Sequence, residues 1–185
     1  MNTPISDEAA QSDVLTDFTQ CHASIIARFE QFRGLPDLLE PAAKARQIAS
    51  EILRFFRSAV IDHHADEEQE LFPAVLASAI KGPEREQVQV VVDRLVGEHR
   101  RIEAMWSRME PALKEVAKGC DSDLDAAAVI RLVDTYTAHA RFEEESFLPM
   151  AQTILGRNDN HLAALGMSLH MRHSPPPFLK GKGYW

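Results

Sequence analysis

The sequence predicts an all-α protein: an antiparallel, up-and-down four-helix bundle with a short C-terminal tail. Three observations lead there. Apolar residues recur at steps of three and four, the helical period, in four long segments. Glycine and proline punctuate the chain between those segments. No alternating apolar and polar run bounded by turns marks a strand. With 185 residues, 45% of them hydrophobic and 26% charged, the chain has the size and composition of one folded domain. Short connections make neighbouring helices antiparallel.

After an N-terminal arm, 1–11, the first helix is predicted over 12–33. Its stripe is Leu15, Phe18, His22, Ile25, Phe29 and Phe32, and Gly34-Leu35-Pro36 ends it. The second, over 41–79, opens on Pro41, a residue suited to a first helical turn. Its stripe is Leu53, Phe56, Val60, His63 and Glu67. Gly82-Pro83 separates it from the third helix, 84–118, with Val88, Val92, Leu95, His99, Ile102 and Trp106 on one face. Gly119 ends that helix, and Asp121-Ser122-Asp123 is expected to cap the fourth, 123–155. The fourth stripe is Val129, Leu132, Tyr136, His139 and Glu143, and Gly156 closes it. Pro73, Pro111 and Pro149 should kink or stop their helices. The bundle therefore spans 12–156. The tail, 157–185, holds His161, His170 and His173 before a proline run and a Lys-Gly repeat. It reads as a short helix followed by extended chain.

Composition narrows the function. A net charge of −8 opposes binding to a phosphate backbone. No apolar run approaches the roughly 20 residues that span a bilayer. The start, MNTPISDEAAQSD, lacks the basic and apolar regions of a secretory signal. Cys21 and Cys120 make no disulfide framework, so a cytoplasmic location is expected.

Each of the four stripes contains one histidine: His22, His63, His99 and His139. Burying four imidazoles without partners is unfavourable. The separations from His22 to His63 and from His99 to His139 are nearly equal, so the chain reads as two similar helical hairpins. The second helix of each hairpin repeats a local pattern. One copy runs His63-Ala-Asp-Glu-Glu67 to Leu71-Phe72-Pro73, the other His139-Ala-Arg-Phe-Glu143 to Phe147-Leu148-Pro149. Histidine and glutamate at i and i+4 share one helix face. Imidazoles with carboxylates and no thiolate suit iron, manganese or zinc rather than calcium. Six such donors exceed the four of a structural zinc site and point to two ions. His64, about 100° around the helix from His63, is expected to face away, as is Cys21 beside His22.

The arrangement His22, His63-x-x-x-Glu67, His99, His139-x-x-x-Glu143, with Leu-Phe-Pro and Phe-Leu-Pro following, resembles the hemerythrin-like, or HHE cation-binding, domains. The resemblance covers about residues 12–155. It implies a four-helix bundle around two non-haem iron ions bridged by carboxylates, with zinc or manganese as substitutes. His22 and His63 would hold one iron, His99 and His139 the other, and Glu67 and Glu143 would bridge. Oxygen carriers of the family have a second histidine one turn after the third-helix ligand. Here His99-Arg-Arg-Ile-Glu103 places a glutamate there, either an additional terminal ligand or an exposed partner of Arg100. On the fourth helix, where carriers have His-x-x-x-x-Asp, both Glu143 and Glu144 are present, and either can bridge. These departures count against durable oxygen carriage. The expected function is binding of, or reaction with, oxygen, nitric oxide or peroxide, as a sensor, store or stress-response protein, rather than catalytic turnover. A di-iron oxidase, an iron–sulfur repair factor and a purely structural metal site are the alternatives. The expected partner is a small gaseous ligand, with neither nucleic acid nor membrane involved.

Overall fold

The computed structural model describes residues 6–157, with side chains from residue 20 onward. The fold is all-α, four long helical segments with no strand among the described residues, and is consistent with a helical bundle. None of the described helices is long and apolar enough to cross a membrane. The chain divides into two compact units, 1–47 and 48–185. The expected tail helix and the histidines at 161, 170 and 173 lie outside the described residues.

The first unit holds helix α1 (Ser6–Arg33) and the start of α2 (Leu35–Phe55). Only Gly34 interrupts them, its N–H donating to Gln31 O at 3.2 Å. The second segment thus starts earlier than Pro41. Pro36 occupies its first turn, where a missing N–H costs nothing, and Pro41 lies inside the helix. The described side chains of this unit, Ile25, Phe29 and Phe32 among them, are exposed.

In the second unit the second segment is not a uniform α-helix. After α2 comes a π-turn, π1 (Phe56–Ile61), then α3 (Asp62–Asp66), π2 (Glu67–Leu71) and α4 (Phe72–Ser78). The third segment is one helix, α5 (Pro83–Lys118). The fourth is α6 (Ala126–Phe142), π3 (Glu143–Phe147) and α7 (Leu148–Leu155). A physical cause is visible for π2 and π3. Each ends two residues before a proline, Pro73 or Pro149. A proline ring clashes with the carbonyl four residues back and offers no N–H. The preceding turn opens instead: Phe72 N–H reaches Glu67 O and Leu148 N–H reaches Glu143 O, each five residues back. At π1, Ser58 Oγ donates to Arg54 O at 3.0 Å, a contact that bends helices. Pro111, by contrast, does not stop α5, which continues through it. It lies on the solvent face, where water can satisfy the carbonyl it frees.

Helix ends follow local chemistry. Gly82 (φ 102°) precedes Pro83, and Gly119 (φ 77°) closes α5 in the left-handed region, with Cys120 N–H on Glu115 O at 3.0 Å. The cap of α6 is Asp125 rather than Asp121-Ser122-Asp123: its carboxylate accepts from Ala127 N–H at 2.8 Å. Arg157 Nη1 donates to Glu84 Oε2 at 2.9 Å, joining the residues after α7 to the start of α5.

The core has two parts. Phe72, Val75, Val88, Leu95, Phe147 and Ile154 anchor one. Phe56, Val60, Ile102, Trp106 and Met109 anchor the other, with Phe56 and Trp106 stacked at 3.9 Å. Each fully buried Leu or Phe contributes roughly 1.5–3 kcal/mol. All six stripe residues of the third segment are buried. Along α5, His99 falls between Leu95 of one cluster and Ile102 of the other, so a polar layer divides the apolar core.

Candidate metal centre

The buried polar residues of that layer are His64, Glu67, His99, His139 and Glu143. With the partly buried His63 they form two groups, the donor atoms within each lying within 4.8 Å of one another: His64, His99 and His139, and His63, Glu67 and Glu143. Glu67 and Glu143 each begin a π-turn, so the turn opened by the proline is the one that carries the carboxylate.

His64 faces inward, contrary to the expectation from an α-helical period. It is 1% exposed and stacks on His99, while the side chain of His63 is 36% exposed and meets Glu67 Oε1 at 3.3 Å. The cause is π1. An i→i+5 turn takes up an additional residue, so the buried register runs Phe56, Val60, His64 and then Glu67.

The three imidazoles are held alike. His64 Nδ1 lies 3.1 Å from Glu103 Oε1, His99 Nδ1 2.9 Å from Glu68 Oε1, and His139 Nδ1 3.1 Å from Glu98 Oε2. An ionised carboxylate only accepts, so Nδ1–H is the donor and Nε2 keeps its lone pair. Those Nε2 atoms are buried and lack hydrogen-bond partners, as are both oxygens of Glu67. His99 Nε2 approaches Glu67 Oε2 to 3.3 Å. A carboxylate behind each imidazole and a bare lone pair in front is the arrangement that orients histidine toward a cation.

The electrostatics match. Burial first, then the charge of His99, pushes His64 down to about 4. Burial, then the close approach and charge of Glu67, pushes Glu143 up to about 9. Burial opposes ionisation of Glu67, but the close approach of His99 and of the Glu143 carboxyl outweighs it and holds its carboxyl low. These groups compete for too little positive charge, which a cation would supply.

Of the residues marked from the sequence, His63, Glu67, His99, His139 and Glu143 come together here. Glu143 is buried and Glu144 exposed. His22 lies in the first unit with its side chain exposed and belongs to neither group. Glu103 stands behind His64, with Arg100 Nη1 3.2 Å from its Oε2, and also belongs to neither group. Sequence reasoning missed His64, Glu68 and Glu98. The signal for His64 was its place one residue after His63 in a segment closed by Leu-Phe-Pro. Tyr136 is half-buried, its ring 6.0 Å from that of His139, and Cys21 is exposed.

A family model described as Hemerythrin HHE cation binding domain matches residues 13–151. A protein of Haemophilus influenzae (strain ATCC 51907 / DSM 11121 / KW20 / Rd), described as uncharacterized, is 28% identical over 130 residues, 69% of this chain and 72% of that protein. No solved structure matches the chain.

Proposed function

Because the chain belongs to the family of hemerythrin HHE cation-binding domains, we propose that its buried His/Glu layer holds two non-haem iron ions and handles a small ligand such as oxygen, nitric oxide or peroxide. The observation that carries this reading is the set of buried Nε2 atoms of His64, His99 and His139, together with both oxygens of Glu67, all without hydrogen-bond partners. The donor set fits a cation: neutral imidazoles and carboxylates, with no thiolate.

In this reading His64, His99 and His139 supply imidazole nitrogens, Glu67 and Glu143 supply carboxylate oxygens, and His63 completes the second group. Iron bound there would supply one-electron redox chemistry and positions open to a small ligand. Glu103, Glu68 and Glu98 orient the rings through Nδ1. Phe72, Phe147 and Leu95 on one side, and Val60 and Ile102 on the other, exclude water from the layer. A sensor, store or stress-response role fits a site built to hold and shield a ligand. Three imidazoles in one group are also a donor set that zinc takes, which supports a mononuclear or structural site as the second reading.

Anaerobic loading with ferrous iron tests the proposal. Elemental analysis should approach two iron per chain, and oxygen or nitric oxide should then change the optical spectrum. Saturation at one ion, or a spectrum indifferent to both gases, would leave the zinc-type reading in its place. The variant His22→Ala, loaded alongside, tests the ligand role that the family resemblance implies for His22: full stoichiometry in that variant would remove it.

A further inference from the structure

Behind the three imidazoles lie three carboxylates, and behind those, among the described residues, lie two arginines. Glu98 accepts from Arg94 Nε at 2.8 Å, so the His139 chain has an arginine of its own, and that guanidinium also covers the Phe142 ring at 3.4 Å. The other two carboxylates share one arginine. Arg100 Nη1 lies 3.2 Å from Glu103 Oε2, and Arg100 Nη2 bonds Glu68 Oε2. The remaining oxygens, Glu103 Oε1 and Glu68 Oε1, hold His64 and His99.

The connections cross between segments. Glu103 of α5 holds His64 of α3, while Glu68 of π2 holds His99 of α5, and Arg100 of α5 closes the circuit. The two rings so held are the pair stacked at 3.8 Å. A planar guanidinium has five donors in a fixed fork and can serve two carboxylates at once, whereas an ammonium is a compact point charge.

We propose that Arg100 is a positioning residue that fixes the rings of His64 and His99 as one unit, through Glu103 and Glu68. Its significance for metal binding rests on the reading of this layer as a metal centre. Glu68 and Glu103 are part-exposed at 19% and 27%, so without the arginine each carboxylate is free to turn to water. Arg100 itself is 58% exposed, and ion pairs that open to solvent contribute little to folding. The arginine's effect therefore falls on ring orientation, not on the melting temperature.

The test uses the full chain. In metal-free protein, nitrogen-edited NMR should show protected Nδ1–H signals for His64, His99 and His139. Arg100→Ala should broaden or remove the first two and keep the third, which also reports that the fold is intact. Arg94→Ala should do the reverse. Arg100→Lys should retain at most one of the pair. Cobalt(II) titration should show binding weakened by about 10–100-fold in Arg100→Ala, with partial recovery in Arg100→Lys. The proposal is overturned if Arg100→Ala leaves all three signals unchanged, or if it removes all three together. If wild-type protein takes up no cobalt, the metal reading fails, and the Nδ1–H signals still decide the role of Arg100.

Discussion

The imidazoles of His64 and His99 lie face to face, ring centroids 3.8 Å apart and planes 4° from parallel. Two buried rings that close do not both carry a positive charge. Burial drives His64 down to about 4, and the charge of His99 adds to it. Burial also opposes charging of His99, but its close approach to Glu67 and its hydrogen bond with Glu68 prevail and raise it. Protons and a cation bound in the proposed centre would therefore compete for the same layer.

The first prediction concerns acid. His64 titrates at about 4 in the fold and near 6.5 when unfolded. Between those values the unfolded chain binds a proton that the fold refuses, so its contribution to stability falls as pH falls from 6.5 to 4. Urea unfolding of metal-free protein at pH 7, 5.5 and 4 should show this loss, and His64→Gln should lose less. Equal pH dependence in the two proteins would contradict the assignment.

Glu143 works in the opposite sense. Its carboxyl titrates at about 9 in the fold against an ordinary 4.5. The metal-free fold thus keeps a proton at pH 7 that the unfolded chain has lost, and this contribution falls as pH rises from 4.5 toward 9. A cation should expel that proton. Calorimetric titration with metal in two buffers of different ionisation enthalpy should show proton release at pH 7, reduced in Glu143→Gln. Heats that are independent of the buffer would argue against it.

The apolar clusters beside the layer set the stability. Phe147 is fully buried and meets the Phe72 ring edge-on at 5.0 Å. Phe147→Ala should cost about 3–5 kcal/mol in denaturant unfolding. Ile130, 61% exposed on α6, should change stability by no more than about 0.5 kcal/mol as Ile130→Ala. Similar costs at both positions would mean that the packing is wrong.

Two glycines should respond with opposite signs. Gly97 lies within α5, and a Cβ there would meet nothing within 4 Å. Gly97→Ala should stabilise by roughly 0.5–1 kcal/mol, because alanine loses less backbone freedom in a helix. Gly119 sits at φ 77°, and Gly119→Ala should destabilise by roughly 1–2 kcal/mol. Thermal melts of the two variants check the pair, and a shift in the same direction for both would count against the helix end as described.

The sequence by itself determined the helical class, the apolar face of α5 and the local units that carry the donors. Those features are encoded within one helix. A step of three and four keeps Val88, Val92, Leu95, His99, Ile102 and Trp106 on one face, and all six are buried. Likewise His139 and Glu143, at i and i+4, are both buried with no change of register between them. Tertiary structure decided which of two adjacent histidines turns inward and what stands behind each ring. His64, rather than His63, joins His99 and His139 because π1 adds a residue to its turn, and the 3.6-residue period cannot register that addition. Glu103, Glu68 and Glu98 reach His64, His99 and His139 across 39, 31 and 41 residues of chain. A periodic face shows that a glutamate is near a helix surface. Only the packing of one segment against another brings its carboxylate within 3.1 Å of a particular Nδ1, because that distance depends on where two backbones cross.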